Sequence, residues 1–451
     1  MYQILPKNLQ TLAKYTPIPL YTVGGAVRDF LAGFTQTKPD WDICAPLPAE
    51  EFAQIATQNG FTVRAVYRNT GTVKLLDSTG QEYEYSCFRS DKYVRGIHTP
   101  VEIFFTDDIR LDAKRRDFTV NAIYYDIKAQ NYVDPLQGIP AVHQKRLTTV
   151  DSPKKVFGED GLRLMRLARQ AAQLGFTPDS ECMEGARENA ALIKDISAER
   201  IYAELNAILS ADERYGVKNG HYIGLKILEE TRVLDYILPE LTLGRNLTQR
   251  ADYHKYDVLE HSLRAALYAP KEIRLAALLH DVGKPYCCFK YGNSYEHPVA
   301  GETLAKNILQ RLKAPNKESG LVCKLVRWHM YDFNCQTSEN KLRRFFVQNY
   351  ALLPQLFAVK QADFSACKDD LRTAPTCKRW AALLATMQEE HVPFTLRDLA
   401  VKGDELIALG IPPKHISNLL EQLLMHTAIE PKDNVKEKLL RLAVSFSKEL
   451  K

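Results

Sequence analysis

The chain lacks any run of about 18 apolar residues, so nothing in it reads as a membrane span. Its opening, MYQILPKNLQ, has no basic stretch followed by an apolar core, so no secretion signal is expected. Nine cysteines are scattered without a CxxC pair, and the one close pair is the adjacent Cys287 and Cys288. That usage argues against a disulfide scaffold and for reduced thiols in a cytoplasmic protein. A strong charge imbalance is missing as well: a net charge of +5 leans only weakly toward anionic partners. Internal repeats and low-complexity segments are also absent.

What remains is an ordinary globular composition, 45% hydrophobic and 25% charged over 451 residues, a length that predicts two to four domains. Up to about residue 145, short β-branched and aromatic runs (LYTV, TVKLLD, EYEYSCF, VEIFF, AIYYDI, NYVD) alternate with helical pieces. They predict a head domain built on a small mixed sheet. From about residue 155, apolar residues recur at helical spacing and strand signals nearly vanish. The partition expected is a head (1–145), a helical neck (146–215), a histidine-rich helical domain (216–375) and a helical tail (376–451).

Chemistry concentrates first in LYTVGGAVRDFLAG, residues 20–33. It reads as strand, Gly-Gly turn and helix, a geometry that brings backbone N–H groups and a positive dipole end close to a phosphate. Gly25 in the turn and Arg28 in the first helical turn are the candidate contacts; a plain turn with a solvated arginine is the alternative. Next comes KPDWDICA, residues 38–45. If a strand starts here, Asp40 and Asp42 share a face, where two carboxylates repel unless a cation sits between them. Mg²⁺ suits such a pair, because it binds a few carboxylates together with substrate phosphates. Glu84, in EYEYSCFR, is a candidate third carboxylate. The basic cluster in DAKRRDFTVNAIYYD offers Arg115 and Arg116 to a triphosphate, with Asp117 expected to hold one of them. Further on, GEDGLRLMRLARQAAQLGF (158–176) reads as one helix with Asp160, Arg163, Arg166 and Arg169 at three-residue steps on one face. Asp160 and Arg163 would present an acceptor and a donor side by side. A salt-bridged solvent-exposed helix is the plainer reading.

Taken in order, GGAVRDFLAG, DWDI, RRDFTVNAIYY with DPLQG, and EDGLRLMRLAR resemble the class II CCA-adding enzymes and bacterial poly(A) polymerases. These are tRNA nucleotidyltransferases and their relatives on a polymerase-β-like head. The resemblance runs over roughly residues 20–210 and implies an α+β head with an all-helical remainder. It implies that Asp40 and Asp42 hold Mg²⁺ for attack of an RNA 3′-hydroxyl on a nucleotide α-phosphate. Gly25, Arg28 and Arg116 would carry the triphosphate. Asp160 and Arg163 would select CTP and ATP through protein contacts, and Arg166 and Arg169 would extend toward phosphate or primer. The stretch FRSDKYVRGIHTPVEIFF (88–105) matches in length the flexible loop of members that add the terminal A, although GIHTP replaces a more basic segment. CCA addition to tRNA is the expectation; A-only addition or poly(A) synthesis is the alternative.

A second constellation lies between residues 254 and 363: His261, the adjacent His280 and Asp281, His297, His329 and Asp363. Imidazoles mixed with carboxylates suit Mn²⁺, Ni²⁺, Co²⁺ or Fe²⁺, and such a metal can activate water against a phosphate ester. Their order resembles the HD-domain phosphohydrolases, which implies a second activity, of phosphatase or phosphodiesterase type. His254 falls outside that order and is expected at the surface or behind the ligands. The tail is expected to bind the tRNA body or to pack. No oligomeric state can be read from these residues.

Overall fold

The computed structural model describes residues 1–34, 40–93 and 100–449. They form two compact units, Met1–Thr242 with Arg311–Ala314, and Leu243–Gln310 with Pro315–Lys451. Among the described residues no helix is long and apolar enough to cross a membrane.

In the first unit the strands are β1 (Tyr21–Val23), β2 (Trp41–Ala45), β3 (Thr62–Tyr67), β4 (Thr72–Leu76), β5 (Glu82–Cys87), β6 (Arg89–Lys92), β7 (Glu102–Phe105), β8 (Tyr124–Asp126) and β9 (Asn131–Val133). Seven of them make one mixed sheet in the order β3-β4-β5-β2-β1-β8-β9. Its β2–β5 pair is parallel, with Asp42 opposite Glu84, and its β1–β2 pair is antiparallel, with Val23 opposite Asp42. Alternation explains β5: Tyr83, Tyr85 and Cys87 are buried while Glu82 and Glu84 face water. On the inner face Phe52 stacks on Tyr85 at 3.7 Å between centroids. Beneath the β1–β8 end, Val23, Cys44, Phe88, Tyr124 and Val156 share one apolar cluster. That cluster pins the strand ends that carry the site.

β6 and β7 pair as a separate two-stranded ribbon, Arg89 opposite Phe105 to Lys92 opposite Glu102. The predicted flexible loop therefore begins and ends as ribbon, and its centre, residues 94–99 with most of GIHTP, lies outside the described residues. Lys38 and Pro39 of KPDWDICA lie outside them too.

Beyond the head the first unit is helical apart from one short parallel strand pair, Arg146–Leu147 with Thr177–Pro178, and here one expectation is corrected. Residues 158–176 are not a single helix: one helix, Pro153–Glu159, ends before Asp160, and another, Leu162–Leu174, begins after Gly161. Asp160 is extended (φ −146°, ψ 108°). The cause is packing. A Cβ on residue 161 would stand 2.5 Å from the Leu192 carbonyl oxygen, so the chain turns where only glycine fits.

The second unit is helical throughout its described residues. The Val258–Tyr268 helix packs on the Leu353–Lys368 helix, and the Arg274–Leu279 helix ends at the His280–Asp281 dyad. Tail residues close the same unit: Trp380 is fully buried and donates to Asp332 at 3.0 Å, while Arg343 donates to the Ala428 carbonyl at 2.8 Å.

Candidate active site and candidate metal centre

In the first unit a cleft of about 420 Å³ is lined by Gly24, Gly25, Arg28, Asp40, Asp42, Arg116, Asp160, Arg163, Arg166 and Arg169, among others. Every head and neck residue singled out from the sequence, Glu84 excepted, thus reaches one cavity. The turn works through Gly24 as much as Gly25. Gly24 has φ +80°, and a Cβ there would sit 3.0 Å from Asp42 Oδ2, so the glycine lets backbone and carboxylate meet. Asp40, immediately before β2, and Asp42, within it, both face solvent. Withdrawal of water by the cleft walls pushes the Asp42 carboxyl up to about 6; Arg116 opposes this, while Glu84 and Asp40 add to it. Glu84 neighbours Asp42 across the strands but does not line the cleft.

The arginines are held in place rather than loose. Arg28 donates to Asp29 (2.9 and 2.7 Å) and to Asn121 (2.7 Å). Asp117 was expected to hold one of Arg115 and Arg116; instead Asp112 binds both, at 2.7 and 3.2 Å. Helical spacing explains the exchange, since Asp112 lies one turn before both arginines whereas Asp117 adjoins Arg116 in sequence. Burial would raise the Asp112 carboxyl, but Arg115, Arg116 and the Tyr124 hydroxyl hold it down at about 2. Asp117 pairs with Arg166 at 3.2 Å. Arg169 pairs with Glu204 at 2.6 Å. Arg163 donates to Glu159 (3.0 Å), the Val156 carbonyl (3.0 Å) and the Arg115 carbonyl (2.8 Å), and lies over the Tyr93 ring. Asp160 accepts from the Leu162 N–H at 2.9 Å. Sequence reasoning missed Asp112, Asn121 and Tyr93; the first two stand within or beside the quoted basic motif, whereas nothing flagged Tyr93. An arginine-lined cavity with two exposed carboxylates at its floor can hold a polyphosphate and a divalent cation together.

The second unit gathers all six residues of the histidine–aspartate set. His261 Nε2 lies 3.1 Å from His280 Nε2, and His297 Nε2 lies 3.1 Å from His329 Nε2. Asp281 stands between the two pairs. Its Oδ2 is 3.4 and 3.2 Å from His261 and His280, and its Oδ1 is 3.2 and 3.6 Å from His297 and His329. Asp363 Oδ1 joins the first pair at 3.0 and 3.5 Å. Three of the rings have fixed tautomers, because His280, His297 and His329 place Nδ1 at 2.6, 2.6 and 2.7 Å from the Ala277, Ser294 and Val326 carbonyls. Carbonyls only accept, so Nδ1 carries the proton and each Nε2 offers a bare lone pair. Two bare lone pairs 3.1 Å apart repel, and a cation at each pair removes the repulsion. The donor set therefore fits metal ions, as two groups that share Asp281.

Burial lowers the His280 pKa, but Asp281 and Asp363 outweigh it and raise the value to about 10, so a proton and a cation compete for its Nε2. Lys284, missed in the sequence although it follows the dyad in HDVGK, donates to Asp281 Oδ2 at 2.6 Å. His254 is half-buried with its ring edge-on to His261 at 4.9 Å, and Cys367 brings its sulfur within 4.8 Å of donor atoms on both. No motif announced Cys367.

Against known proteins, residues 20–148 match "Poly A polymerase head domain", 175–243 match "Probable RNA and SrmB- binding site of polymerase A", and 252–348 match "HD domain". The A-adding tRNA nucleotidyltransferase of Deinococcus radiodurans is 31% identical, with 87% of each chain aligned. A CCA-adding enzyme of Lactococcus lactis is 34% identical over 52% of this chain and 56% of its own. In fold, the chain matches the CCA-adding enzyme of Bacillus stearothermophilus solved with CTP, with a TM-score of 0.66, 23% identity and 98% of both chains covered. The chain belongs to the CCA-adding and poly(A) polymerase family of nucleotidyltransferases and carries an HD domain after its polymerase head.

Proposed function

We propose that the protein completes the 3′ end of tRNA by adding CCA from CTP and ATP without a nucleic-acid template. The observation that carries nucleotidyl transfer is the meeting of Asp40 and Asp42 with the Gly24–Gly25 turn in one arginine-lined cleft. Gly25 backbone, Arg28 and Arg116 receive the triphosphate and offset its charge. Asp40 and Asp42 would hold Mg²⁺, which would supply Lewis acidity toward the RNA 3′-hydroxyl and offset the charge of the departing pyrophosphate. Asp160 and Arg163 meet the edge of the incoming base. Glu159 and two backbone carbonyls fix the Arg163 guanidinium, so its donors face the base in one orientation. Arg166 and Arg169 guide the primer backbone. The head (1–145), neck (146–215), HD domain (216–375) and tail (376–451) divide these tasks, and a cytoplasmic location fits them.

In the HD domain we assign transition-metal cations (Mn²⁺, Ni²⁺, Co²⁺ or Fe²⁺) to His261, His280, Asp281 and Asp363, and to His297, His329 and Asp281. Such cations supply Lewis acidity toward a phosphate ester, and Lys284 is placed to meet its negative charge. A phosphohydrolase activity on RNA or nucleotide 3′ ends follows.

A-only addition is the second reading, favoured by the long alignment with the Deinococcus A-adding enzyme. One assay separates the two: tRNA transcripts ending before CCA, after C and after CC are incubated with CTP and ATP, singly and together. Three nucleotides added to the first transcript and then a stop support CCA addition. Growth only of the CC-ending transcript, by one A, means the second reading, and a long A ladder means a poly(A) polymerase. For base selection, Arg163→Ala should erode the preference for CTP over UTP; unchanged preference would remove the templating role.

A further inference from the structure

Between the dyad and His297 the chain places an unusual set of side chains in water. Tyr286, Phe289, Tyr291 and Tyr295 are all exposed, Phe289 at 96% and Tyr295 at 88%. Within residues 283–296 every exposed large apolar side chain is aromatic. The tail differs: there the exposed apolar residues are Leu396, Ile407, Leu409, Val435 and Val444, all aliphatic. Exposed rings make a good stacking surface, since every nucleobase has a flat face to offer.

Cations are interleaved with the rings. The Lys290 ammonium lies 5.3 Å from the Tyr286 ring centre and 4.9 Å from that of Tyr291. Arg250 lies 4.9 Å over Tyr253, itself 55% exposed, and its charge is felt by both Tyr253 and Tyr295. This joins the Tyr253 loop to the Tyr295 end of the segment. The surface also runs into the metal centre: Gln249, beside Arg250, accepts from Lys284, which donates to Asp281. At its other end the backbone of Ser294 holds His297 Nδ1. Along the two segments Arg250, Lys255 and Lys290 outnumber Asp252, which pairs with Arg250 at 2.6 Å, and Glu296, while Lys284 is taken up by Asp281; the surplus suits a phosphate backbone.

We propose that Tyr253, Phe289 and Tyr295, with Arg250 and Lys290, form a stacking platform for single-stranded RNA beside the HD centre. Bases lie on the rings and phosphates meet the two cations. The strand's 3′-terminal phosphoester then points toward Asp281; this direction alone rests on the phosphohydrolase reading.

The test uses the full chain and a single-stranded RNA decamer carrying 4-thiouridine, with cross-links mapped by mass spectrometry and affinity read by fluorescence anisotropy. Cross-links are expected at Tyr253, Phe289 or Tyr295. The double variant Phe289→Ser with Tyr295→Ser should weaken decamer binding by at least ~5-fold, the loss of one stacked base. It should leave nucleotide addition to tRNA and the melting temperature unchanged, because both side chains lie in solvent. Phe289→Trp with Tyr295→Phe should keep the affinity. Unchanged decamer affinity in the serine variant, or cross-links confined to residues outside 250–296, overturns the proposal. So does loss of binding to phosphatidylglycerol vesicles by that variant with RNA affinity intact, which would mark a lipid surface. The phosphohydrolase reading fails separately: if neither wild type nor any variant hydrolyses a 2′,3′-cyclic phosphate while the cross-links stand, the platform holds and the direction is withdrawn.

Discussion

The two centres of this chain hold similar carboxylates in opposite surroundings. In the head, the Asp40 side chain is 91% exposed with Arg214 3.8 Å away, and the other arginines of the cleft are fastened by Asp29, Asp112, Asp117, Glu159 and Glu204. In the HD domain, His261, His280, Asp281, His297 and His329 are each at most 3% exposed, and no arginine is among their ion-pair partners in the described residues. An exposed pair in a cationic cleft binds a cation weakly until a polyphosphate brings more ligands. A buried cluster of bare imidazole nitrogens and carboxylates requires its cations whether or not substrate is present. On the proposed function the first site would be assembled by its substrate, and the second would hold its cations throughout.

The sharpest way to break the comparison is to exchange one oxygen for nitrogen in each centre. Asp42→Asn should cut nucleotide incorporation by at least ~10³-fold, the several kcal/mol a metal contact supplies, and leave phosphoester hydrolysis intact. Asp281→Asn should do the reverse. Loss of both activities from either change would mean that the centres are not independent. Next in size is Asp112→Ala, which strips two arginines of a fully buried partner and should cost about 3–5 kcal/mol in urea melts. Asp40→Ala, at an exposed position, should cost little stability while removing activity. Equal costs for the two would refute the distinction between fastening and working carboxylates.

Chelation separates the sites from the other side. Dialysis against EDTA should lower the melting transition of the second unit, by about 2.7 kcal/mol for a cation held at a hundred times its dissociation constant. Readdition of Mn²⁺, with metal content measured by mass spectrometry, should restore it. Added Mg²⁺ without nucleotide should leave the first unit's transition where it was; a shift there would show that the head also carries a resident ion.

How far this contrast was legible in the sequence depends on the range of the cause. Tyr83, Tyr85 and Cys87 alternate with Glu82 and Glu84, so β5 could be read directly. The Gly-Gly turn, the two aspartates and the arginine motifs were visible because each is a local pattern, and the cleft collects them all. The break at Asp160–Gly161 was not, because its cause is a carbonyl at Leu192, 31 residues away. Exposure was also hidden: Arg28 and Arg163 look like free phosphate or base contacts in sequence, and only the fold reveals Asn121, Val156 and Arg115 as their partners. In the HD domain the ligand order was readable, but not that Asp281 serves both histidine pairs, which needs four helices brought together.

Gly24→Ala gives a smaller effect that tests the close approach in the head. The residue sits at φ +80° and its new methyl would press on Asp42 Oδ2, so strain of about 1–3 kcal/mol is expected. Part of it should surface as a higher Mg²⁺ requirement rather than as unfolding. If the melting temperature falls and the Mg²⁺ requirement does not change, Gly24 serves the turn alone.

The smallest effect is on pH. Asp42 titrates near 6 instead of 3.8, so it is half protonated at about pH 6 and charged above pH 7. A proton and Mg²⁺ compete for the same carboxylate, so apparent Mg²⁺ affinity in nucleotide addition should be flat above pH 7. It should fall by about twofold at pH 6 and continue to fall below it. Glu84→Gln removes one neighbouring negative charge and should move that midpoint down, because less repulsion favours the ionised form. Titrations of activity against Mg²⁺ at fixed pH values measure both. A midpoint that stays put in Glu84→Gln would mean that water withdrawal, with Asp40, raises Asp42 without help from Glu84. The cleft walls, rather than its carboxylate neighbour, would then tune how readily the head accepts its cation.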